Sequence, residues 1–484
     1  MRKLAVSLGQ TFLLLTLFGL LILQELHNQP LIDKLHDSLR FATNGLNRTA
    51  TAFSTLTEPV QPLASPLSSI PPSTEANLTQ AEAQHLEEVD HLTPTSLPAL
   101  VKVQEPQVMQ IDCKDRVANG DSFNKARSYV DSIMNRGNED VPQLQCPSVN
   151  ASRYLSLHNA VSSDSKPRFY FAMNLHQSAH ILPQLLGAIV EIVRLLGPHA
   201  CVISVVEGRS TDGTFEILKS LAKEMEHLGV SYFLSCNELQ PGGEGMERIS
   251  TLAELRNRAL WPLTQRSQSY DPSTTIVFLN DIAPCAEDIL ELVYQRTLLK
   301  ADMTCGMDWY NLDDGGTFYD SWIGRQMNGE TFFEVPQSTS WDFSKNLFWN
   351  HETSKSRYLQ GQPVQVFSCW NGAVALTARP FLEGKIRFRT EIEKECHLGE
   401  PVHLAKDLWR LGHGKIAVIP SVNVGYSVDD SRKAKEAHGW VTTIADGASI
   451  ELRKIDWQQK PPGQIKCLGA WDRPSWEPFD IMNE

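Results

Sequence analysis

Between residues 168 and 299, short apolar runs alternate with longer stretches in which apolar residues recur at helical spacing. The short runs predict buried strands, and the spaced stretches predict helices. The predicted strands are residues 169–175, 201–206, 230–234 and 275–279. The predicted helices are residues 181–196, 215–228, 251–260 and 289–299. Four strand–helix repeats indicate an α/β fold with a mostly parallel sheet and helices on both faces.

The N-terminal residues 4–23 carry no charge and follow Arg2 and Lys3. This run is long enough to cross a bilayer, and no small-residue cleavage site follows it. We therefore predict a cytosolic tip and a transmembrane signal anchor at residues 1–26, with the rest of the chain in the secretory lumen. The alternative is a signal peptide that is removed.

Residues 27–110 are rich in Pro, Ser and Thr and contain no Trp, Tyr or Cys. Such a segment cannot bury enough apolar area to offset its ordering entropy, so we predict a flexible stem. All 9 Cys and all 11 Trp lie beyond residue 112, which places the folded lumenal domain at residues 111–484. Ala126, Val130 and Ile133 have helical spacing and predict a helix that packs against this domain.

The chain has 484 residues and a formal net charge of -13. This charge argues against a nucleic-acid partner, because phosphate contacts need a clustered basic surface. The number of Cys is odd, so at least one thiol stays unpaired or pairs between chains. Sequons at Asn47, Asn77 and Asn150 are usable only in the lumen and agree with the predicted orientation.

Ligands of parallel sheets bind at the carboxyl ends of the strands, so polar residues in the following loops are site candidates. Glu207 and Asp212 follow the second predicted strand. A carboxylate there can accept a hydrogen bond from a nucleotide base or a ribose hydroxyl. The alternative is an ordinary turn whose polar residues cap the next helix.

Arg248 and Arg256 are eight residues apart, close to two helical turns, and Asn257 follows them. Both guanidinium groups can therefore face one edge of the sheet, where they suit a diphosphate. The alternative is a solvated basic helix face.

Asp281 follows the fourth predicted strand. A carboxylate there can bridge Mg²⁺ or Mn²⁺ to substrate phosphates. The alternative is that Asp281 only caps the next helix.

In the second half of the chain, Trp309 and Trp370 adjoin the polar residues Asp308 and Asn371, and Asp320 lies two residues before Trp322. Aromatic rings stack on the C–H faces of sugars while polar groups bind the hydroxyls. Core packing would explain the rings but not their polar neighbours. The pattern therefore favours a sugar site.

Seven segments of the chain follow one another in a recognisable order: VVEGRSTDGT at 205–214, RN at 256–257, FLND at 278–281, CGMDW at 305–309, FYDSW at 318–322, CWNG at 369–372 and AKDLW at 405–409. Together they resemble the fungal α-1,3-mannosyltransferase family that includes capsule-associated proteins, glycosyltransferase family 69. The resemblance covers roughly residues 168–430 in the family's order.

The resemblance implies a GT-A fold in the Golgi lumen, GDP-mannose as donor, a Mn²⁺ or Mg²⁺ ion, and a mannose-containing acceptor such as mannan. It also implies an α-1,3 linkage and retention of the anomeric configuration. Asn280 and Asp281 then look like the counterpart of the DxD metal motif found in many GT-A enzymes, of which only one acid is present. Asp308, Asp407 and His438 are alternatives for the second metal contact.

The chemistry of sugar transfer, which needs a carboxylate near the sugar, predicts roles for three acids. Asp308 is the predicted contact of the donor sugar, and Asp407 or Glu400 is the predicted acceptor base. Glu400 and Asp407 are seven residues apart, so they can share one helix face.

Two other functions stay open. A lumenal protein that supports polysaccharide synthesis without catalysis is favoured by the incomplete metal motif. A glycoside hydrolase would also need acids and aromatics, but the diphosphate-type edge argues against it.

Overall fold

The computed structural model describes residues 109–479, with gaps at 114–115, 117–119, 137–140, 160–165, 244–245, 315, 337–341, 446–453 and 469–473. The described residues belong to one compact unit, Ser96–Glu484. The predicted anchor at 1–26 and nearly all of the predicted stem at 27–110 lie outside them, so this division stays a prediction. Within the described part of the chain, no helix is long and apolar enough to cross a membrane.

In the described residues, eleven strands form one sheet, and two further strands form a separate hairpin. The strands of the sheet are β1 Gln110–Asp112, β2 Phe169–Leu175, β3 Cys201–Gly208, β4 Ser231–Asn237, β5 Thr275–Leu279, β6 Met303–Tyr310, β7 Thr317–Phe318, β8 Arg325–Gln326, β9 Val364–Ser368, β10 Ala373–Thr377 and β11 Ile416–Val424. The hairpin consists of β12 Gln464–Cys467 and β13 Ser475–Pro478. The spatial order in the sheet is β1-β4-β3-β2-β5-β10-β6-β11-β9-β8, and β7 pairs with β6.

The helices follow the strands on both faces of this sheet. They are α1 Gly120–Met134, α2 Leu155–Asn159, α3 Leu182–Leu196, α4 Thr214–Leu228, α5 Arg248–Ala259, α6 Trp261–Gln265, α7 Ala286–Leu298, α8 Glu352–Leu359, α9 Arg379–Leu382, α10 Glu400–Arg410, α11 Val428–His438 and α12 Val441–Ala445.

The predicted strand–helix repeat is confirmed in the half of the sheet from β1 to β5. Strands β2 and β5 match the predicted strands 169–175 and 275–279 residue for residue. All strand pairs in this half are parallel, so the carboxyl ends of β2, β3 and β5 lie at one edge. The predicted helix around Ala126 is also confirmed, since α1 packs against α3 and α4.

The other half of the sheet differs from the mostly parallel arrangement that was predicted. Strand β10 lies between β5 and β6 and runs antiparallel to both, with Ala373 opposite Leu279. The sheet is therefore mixed. Because β10 runs in the opposite direction, its first residue meets the last residue of β5. The turn before β10 is thus placed at the carboxyl edge of the parallel half.

The core consists of two apolar layers, one on each face of the sheet. Along β2, Phe171 and Met173 belong to one buried cluster, and Tyr170 and Ala172 belong to the other. Helices α1, α3, α4 and α7 contribute to the first cluster, and α5 and α10 contribute to the second. Alternation along a strand places successive side chains on opposite faces, so these clusters confirm that both faces are covered.

Four disulfides connect distant parts of the described chain, and Cys201 is a free, buried thiol. The prediction of an unpaired thiol is therefore confirmed. The disulfides are Cys113–Cys236, Cys146–Cys285, Cys305–Cys369 and Cys396–Cys467. The third of them fixes the turn before β10 to β6.

Candidate active site

Asn280, just after β5, connects the end of this strand to the turn before β10. Its backbone N–H donates to the carbonyl of Gly372 at 2.9 Å, and its Oδ1 accepts from Nε1 of Trp370 at 3.0 Å. The half-buried side chain of Asn280 is thereby engaged with Trp370, whereas the next residue, Asp281, is exposed. Asp281 is therefore the member of this pair that faces a ligand from solvent.

Asp308 and Asp320 form a pair of carboxyl groups at this edge. Asp308 is fully buried on β6. Its Oδ2 accepts from the Tyr426 hydroxyl at 2.6 Å, and its Oδ1 accepts from the backbone N–H of Asp320 at 3.3 Å. Burial, and then the charge of Asp320, raise the pKa of Asp308 well above its usual range. Burial raises the pKa of Asp320 to about 6. Two such neighbours resist double ionisation, so Asp308 keeps its proton when Asp320 is ionised.

Asn371 positions the Asp320 carboxylate. Its backbone N–H donates to Oδ2 of Asp320 at 2.7 Å, and its Nδ2 donates to the carbonyl of Gly306 at 2.7 Å. The φ angle of Asn371 is 55°, in the left-handed region that Asn tolerates better than most residues. Asn371 was predicted to contact the ligand, but its side chain bonds to the protein instead. It acts on the site by positioning Asp320.

Arg256 and Glu400 form a buried ion pair whose charges act on Asp320. Nε of Arg256 donates to Oε1 of Glu400 at 2.6 Å, and the guanidinium carbon lies 4.1 Å from the centre of the Trp370 ring. Nη1 of Arg256 is buried and has no hydrogen-bond partner among the described residues. Buried N–H groups are nearly always paired in proteins, so this one indicates a position that a bound ligand can occupy.

Arg248, Asp281 and Tyr319 lie on the solvent side of the same site. Arg248 is exposed at the start of α5. The pKa of the Tyr319 hydroxyl is raised by burial and by the charges of Asp308, Asp320 and Asp281, and is lowered by Arg248. Arg248, Asp281 and the Asp308–Asp320 pair therefore all act on the half-exposed Tyr319. The tertiary structure brings together the loop after β5, the loop after β7 and the start of α5.

The structure places both predicted sugar-binding tryptophans in the interior. Trp309 is only 2% exposed and stacks on the His438 ring, with 3.5 Å between the ring centroids. Burial lowers the pKa of His438 to about 4. Trp370 is also 2% exposed and lies beneath Arg256. Both rings therefore pack in the core, which was the alternative to sugar binding, and they lie beneath the residues of the site.

Glu207 and Asp212 are engaged with the backbone of their own region. Oε1 of buried Glu207 accepts from the N–H of Ser210 at 2.7 Å. Asp212 accepts from the N–H groups of Ala179 at 2.9 Å and Thr214 at 3.1 Å. Asp212 thus connects the loops after β2 and β3. These contacts match the turn-and-cap alternative and place neither residue at the Asp308–Asp320 pair.

Asn257 and Asp407 are also held by partners within the protein. Asn257 Nδ2 donates to the carbonyl of Phe388 at 2.8 Å, and its Oδ1 accepts from the N–H of the same residue at 3.0 Å. Asp407 accepts two hydrogen bonds from Arg389, at 2.7 and 2.8 Å. It lies about 10 Å further along α10 than Glu400. Of the two acids predicted as acceptor base, the fold brings Glu400 to the site and engages Asp407 elsewhere.

Asp320, Tyr319 and Tyr426 complete the site, although the sequence names only Asp320, as a polar residue of a sugar site, and assigns the two tyrosines no role. The first two lie in the FYDSW segment that carries the family resemblance, so the segment was visible in the sequence. No local pattern shows which of its side chains faces the site. Tyr426 is 118 residues from Asp308, and no sequence signal connects the two.

The site offers few protein ligands for a metal ion. No group of three or more His, Cys, Asp or Glu residues among those described is arranged to hold one. Mg²⁺ and Mn²⁺ prefer oxygen ligands, and Mg²⁺ in particular often takes only one or two carboxylates and completes its shell with water and substrate phosphates. The exposed carboxylate of Asp281 fits an ion of that kind, which would enter with its substrate.

Comparisons with known proteins show what the chain is similar to. Residues 168–407 match the family model described as Cryptococcal mannosyltransferase 1. The alpha-1,3-mannosyltransferase CMT1 of Cryptococcus neoformans var. neoformans serotype D is 34% identical over 356 residues, which are 67% of this chain and 74% of that protein. Mannosyltransferase PcManGT from Pyrobaculum calidifontis, solved in complex with GDP-Man and Mn²⁺, shares 13% identity, with a TM-score of 0.33 over 63% of this chain and 62% of its own. A likeness of that degree decides nothing about the fold or the ligands.

Proposed function

Because the chain belongs to the cryptococcal mannosyltransferase 1 family, it is a mannosyltransferase, and we propose that it joins mannose in an α-1,3 linkage to a mannose-containing glycan such as mannan. The proposed donor is GDP-mannose. The linkage is the one in the name of CMT1. The observation that carries the proposal is the convergence of charged groups at one edge of the sheet. Trp370 bonds to Asn280, which precedes Asp281, and lies under Arg256. The next residue, Asn371, holds Asp320, and the charges of Arg248 and Asp281 act on the neighbouring Tyr319.

The diphosphate of the donor is proposed to lie on the solvent side of this edge. Arg248 and Asp281 are exposed there, on loops that follow the parallel strands, where such folds bind ligands. Arg248 would pair with phosphate oxygens. Asp281 would hold a Mn²⁺ or Mg²⁺ ion, which when bound neutralises the negative charge of the diphosphate.

The mannose of the donor is proposed to lie over Asp320, Arg256 and Glu400. With a pKa of about 6, Asp320 is mainly ionised at neutral pH and can accept hydrogen bonds from sugar hydroxyls. The unpaired Nη1 of Arg256 can donate to a sugar or phosphate oxygen. Glu400 orients Arg256, and Asp308 keeps Asp320 in place. The donor-sugar contact predicted for Asp308 is thus proposed for its neighbour.

The fold and the disulfides support the remaining parts of the proposal. A parallel half, at whose carboxyl edge we place the nucleotide, joined to a half with antiparallel strands, supports a GT-A organisation. Disulfides persist in oxidising compartments, and Asn150, a predicted glycosylation acceptor, is exposed. We therefore propose a Golgi protein with its catalytic unit in the lumen, anchored by residues 1–26.

Turnover of GDP-mannose by the full-length chain tests this function. With Mn²⁺ and an α-linked mannobiose as acceptor, we expect a mannotriose product, and Asp281→Asn should reduce its rate by about 100-fold. Glu226→Gln removes an exposed charge from the far end of α4 and is the control. If the wild type forms no product and calorimetry detects no Mn²⁺-dependent binding of GDP, the non-catalytic alternative replaces the proposal.

A further inference from the structure

Two exposed tyrosines stand beside the carboxylates of the candidate site. Tyr310, the last residue of β6, is 60% exposed, and Tyr319, just after β7, is 49% exposed. Single exposed rings are common on protein surfaces, but these two lie together beside the site carboxylates. The rings of Trp309 and Trp370, which the sequence favoured for sugar binding, are buried behind the site, whereas these two face solvent.

The two rings belong to a row of three that leads from solvent to the Asp308–Asp320 pair. The centroids of Tyr310 and Tyr319 are 5.9 Å apart, and their planes are inclined by 51°. The centroids of Tyr319 and Tyr426 are 5.0 Å apart, with an inclination of 60°. The Tyr426 hydroxyl donates to Asp308 at 2.6 Å. A ligand on the outer rings would therefore be in line with the inner acids.

The backbone holds this row in place. Tyr310 is paired with Thr317 across β6 and β7. The N–H of Tyr319 donates to the carbonyl of Asp308 at 3.1 Å, and the carbonyl of Tyr319 accepts from the N–H of Ser321 at 2.8 Å. Rings on a fixed backbone lose little conformational entropy when a ligand binds, which suits a preformed binding surface.

The chemistry of the surroundings selects the class of ligand. Aromatic faces bind the C–H face of a sugar ring, and nearby carboxylates accept from its hydroxyls. The charges of Asp281 and Asp320 act on Tyr319, and Arg248 is the cation proposed for the diphosphate. At the tyrosines a neutral polyhydroxylated ring is therefore favoured over a second anion.

We propose that Tyr310 and Tyr319 form the subsite for the acceptor sugar, a mannose ring at the end of a neutral glycan. This inference rests on the proposed function, in which Arg248 and Asp281 take the donor diphosphate. Tyr310 is the outermost ring of the row, and Tyr319 joins it to the donor side. The acceptor would thus enter along the row and present its hydroxyl at the Asp320 end.

Kinetics of the full-length chain with GDP-mannose and α-linked mannobiose test the subsite. Tyr319→Ala should raise KM for mannobiose about tenfold, and by more than it raises KM for GDP-mannose. Tyr319→Phe keeps the ring and should behave nearly as the wild type. Trp261→Ala removes a ring of similar exposure, 50%, from α6 and is the matched control.

Saturation-transfer NMR with mannobiose alone separates this inference from the proposed function. We expect transfer from the wild type to the sugar C–H protons and its loss in Tyr319→Ala, with or without donor. If the wild type transfers mannose while Tyr319→Ala keeps its KM for mannobiose and its NMR signal, the subsite is wrong and the function stands. If mannobiose binds through Tyr319 but GDP-mannose is never turned over, the subsite stands and the proposed function fails.

Discussion

Arg256 and Glu400 form a 2.6 Å ion pair although 144 residues separate them in the chain. Their side chains are 8% and 3% exposed. Arg256 comes from the first half of the fold and Glu400 from the second, so this contact joins the two halves at the candidate site. Its removal therefore affects stability and catalysis together.

Glu400→Ala should lower the free energy of unfolding by about 3–5 kcal/mol, because it leaves the Arg256 charge buried without its partner. Urea unfolding of the full-length chain measures this change. The control is Glu254→Ala, which breaks the exposed pair with Arg258 and should cost less than about 1 kcal/mol. Equal losses in the two variants would mean that the buried pair is no more important than a surface pair.

Asp320 should make stability depend on pH in a defined window. Its pKa in the folded protein, about 6, is above that of an unfolded chain, so the unfolded chain releases its proton first as the pH rises. The folded protein should therefore lose up to about 3 kcal/mol of stability between about pH 4 and 6.

Asp320→Asn has no such proton, so its unfolding free energy should fall less across this window. Urea unfolding at a series of pH values compares this variant with the wild type. Asp313→Asn, a change at an exposed acid, should keep the wild-type pH dependence. Parallel pH curves for wild type and Asp320→Asn would contradict the raised pKa.

Asn371 should tolerate Gly better than Ala. Both substitutions remove the hydrogen bond to Gly306, and both keep the backbone N–H that donates to Asp320. Only Ala adds left-handed strain at a φ of 55°, so Asn371→Ala should be about 1 kcal/mol less stable than Asn371→Gly. Thermal unfolding of both variants measures the difference, and the reverse order would show that the backbone relaxes.

Arg248→Ala should weaken the binding of GDP about tenfold, since it removes a cation from the proposed diphosphate position. The loss should be larger at low salt, because exposed charges are screened as ionic strength rises. Calorimetric titration at two salt concentrations measures both effects. Arg258→Ala, on the same helix but paired with Glu254, should bind GDP as the wild type does, and an equal loss there would point to a nonspecific charge effect.

Much of the first half of the fold was predictable from sequence because its signals are local. The apolar runs of β2 and β5 and the helical spacing of α3 and α4 lie within single elements, and the carboxyl-edge rule then directs attention to Asp281 and Arg256. The antiparallel insertion of β10 was not predictable, because a five-residue buried strand has no periodicity that states its direction or its neighbours.

The sequence by itself determined the α/β repeat, the odd thiol and the family to which the chain belongs. The tertiary structure alone decided which polar residues meet. It turned Trp309 inward and left Tyr310 exposed, and it engaged Asp407 with Arg389 while it brought Glu400 to Arg256. The physical reason is that strands and helices follow from spacing within a few residues, whereas burial and pairing depend on contacts between residues far apart in the chain.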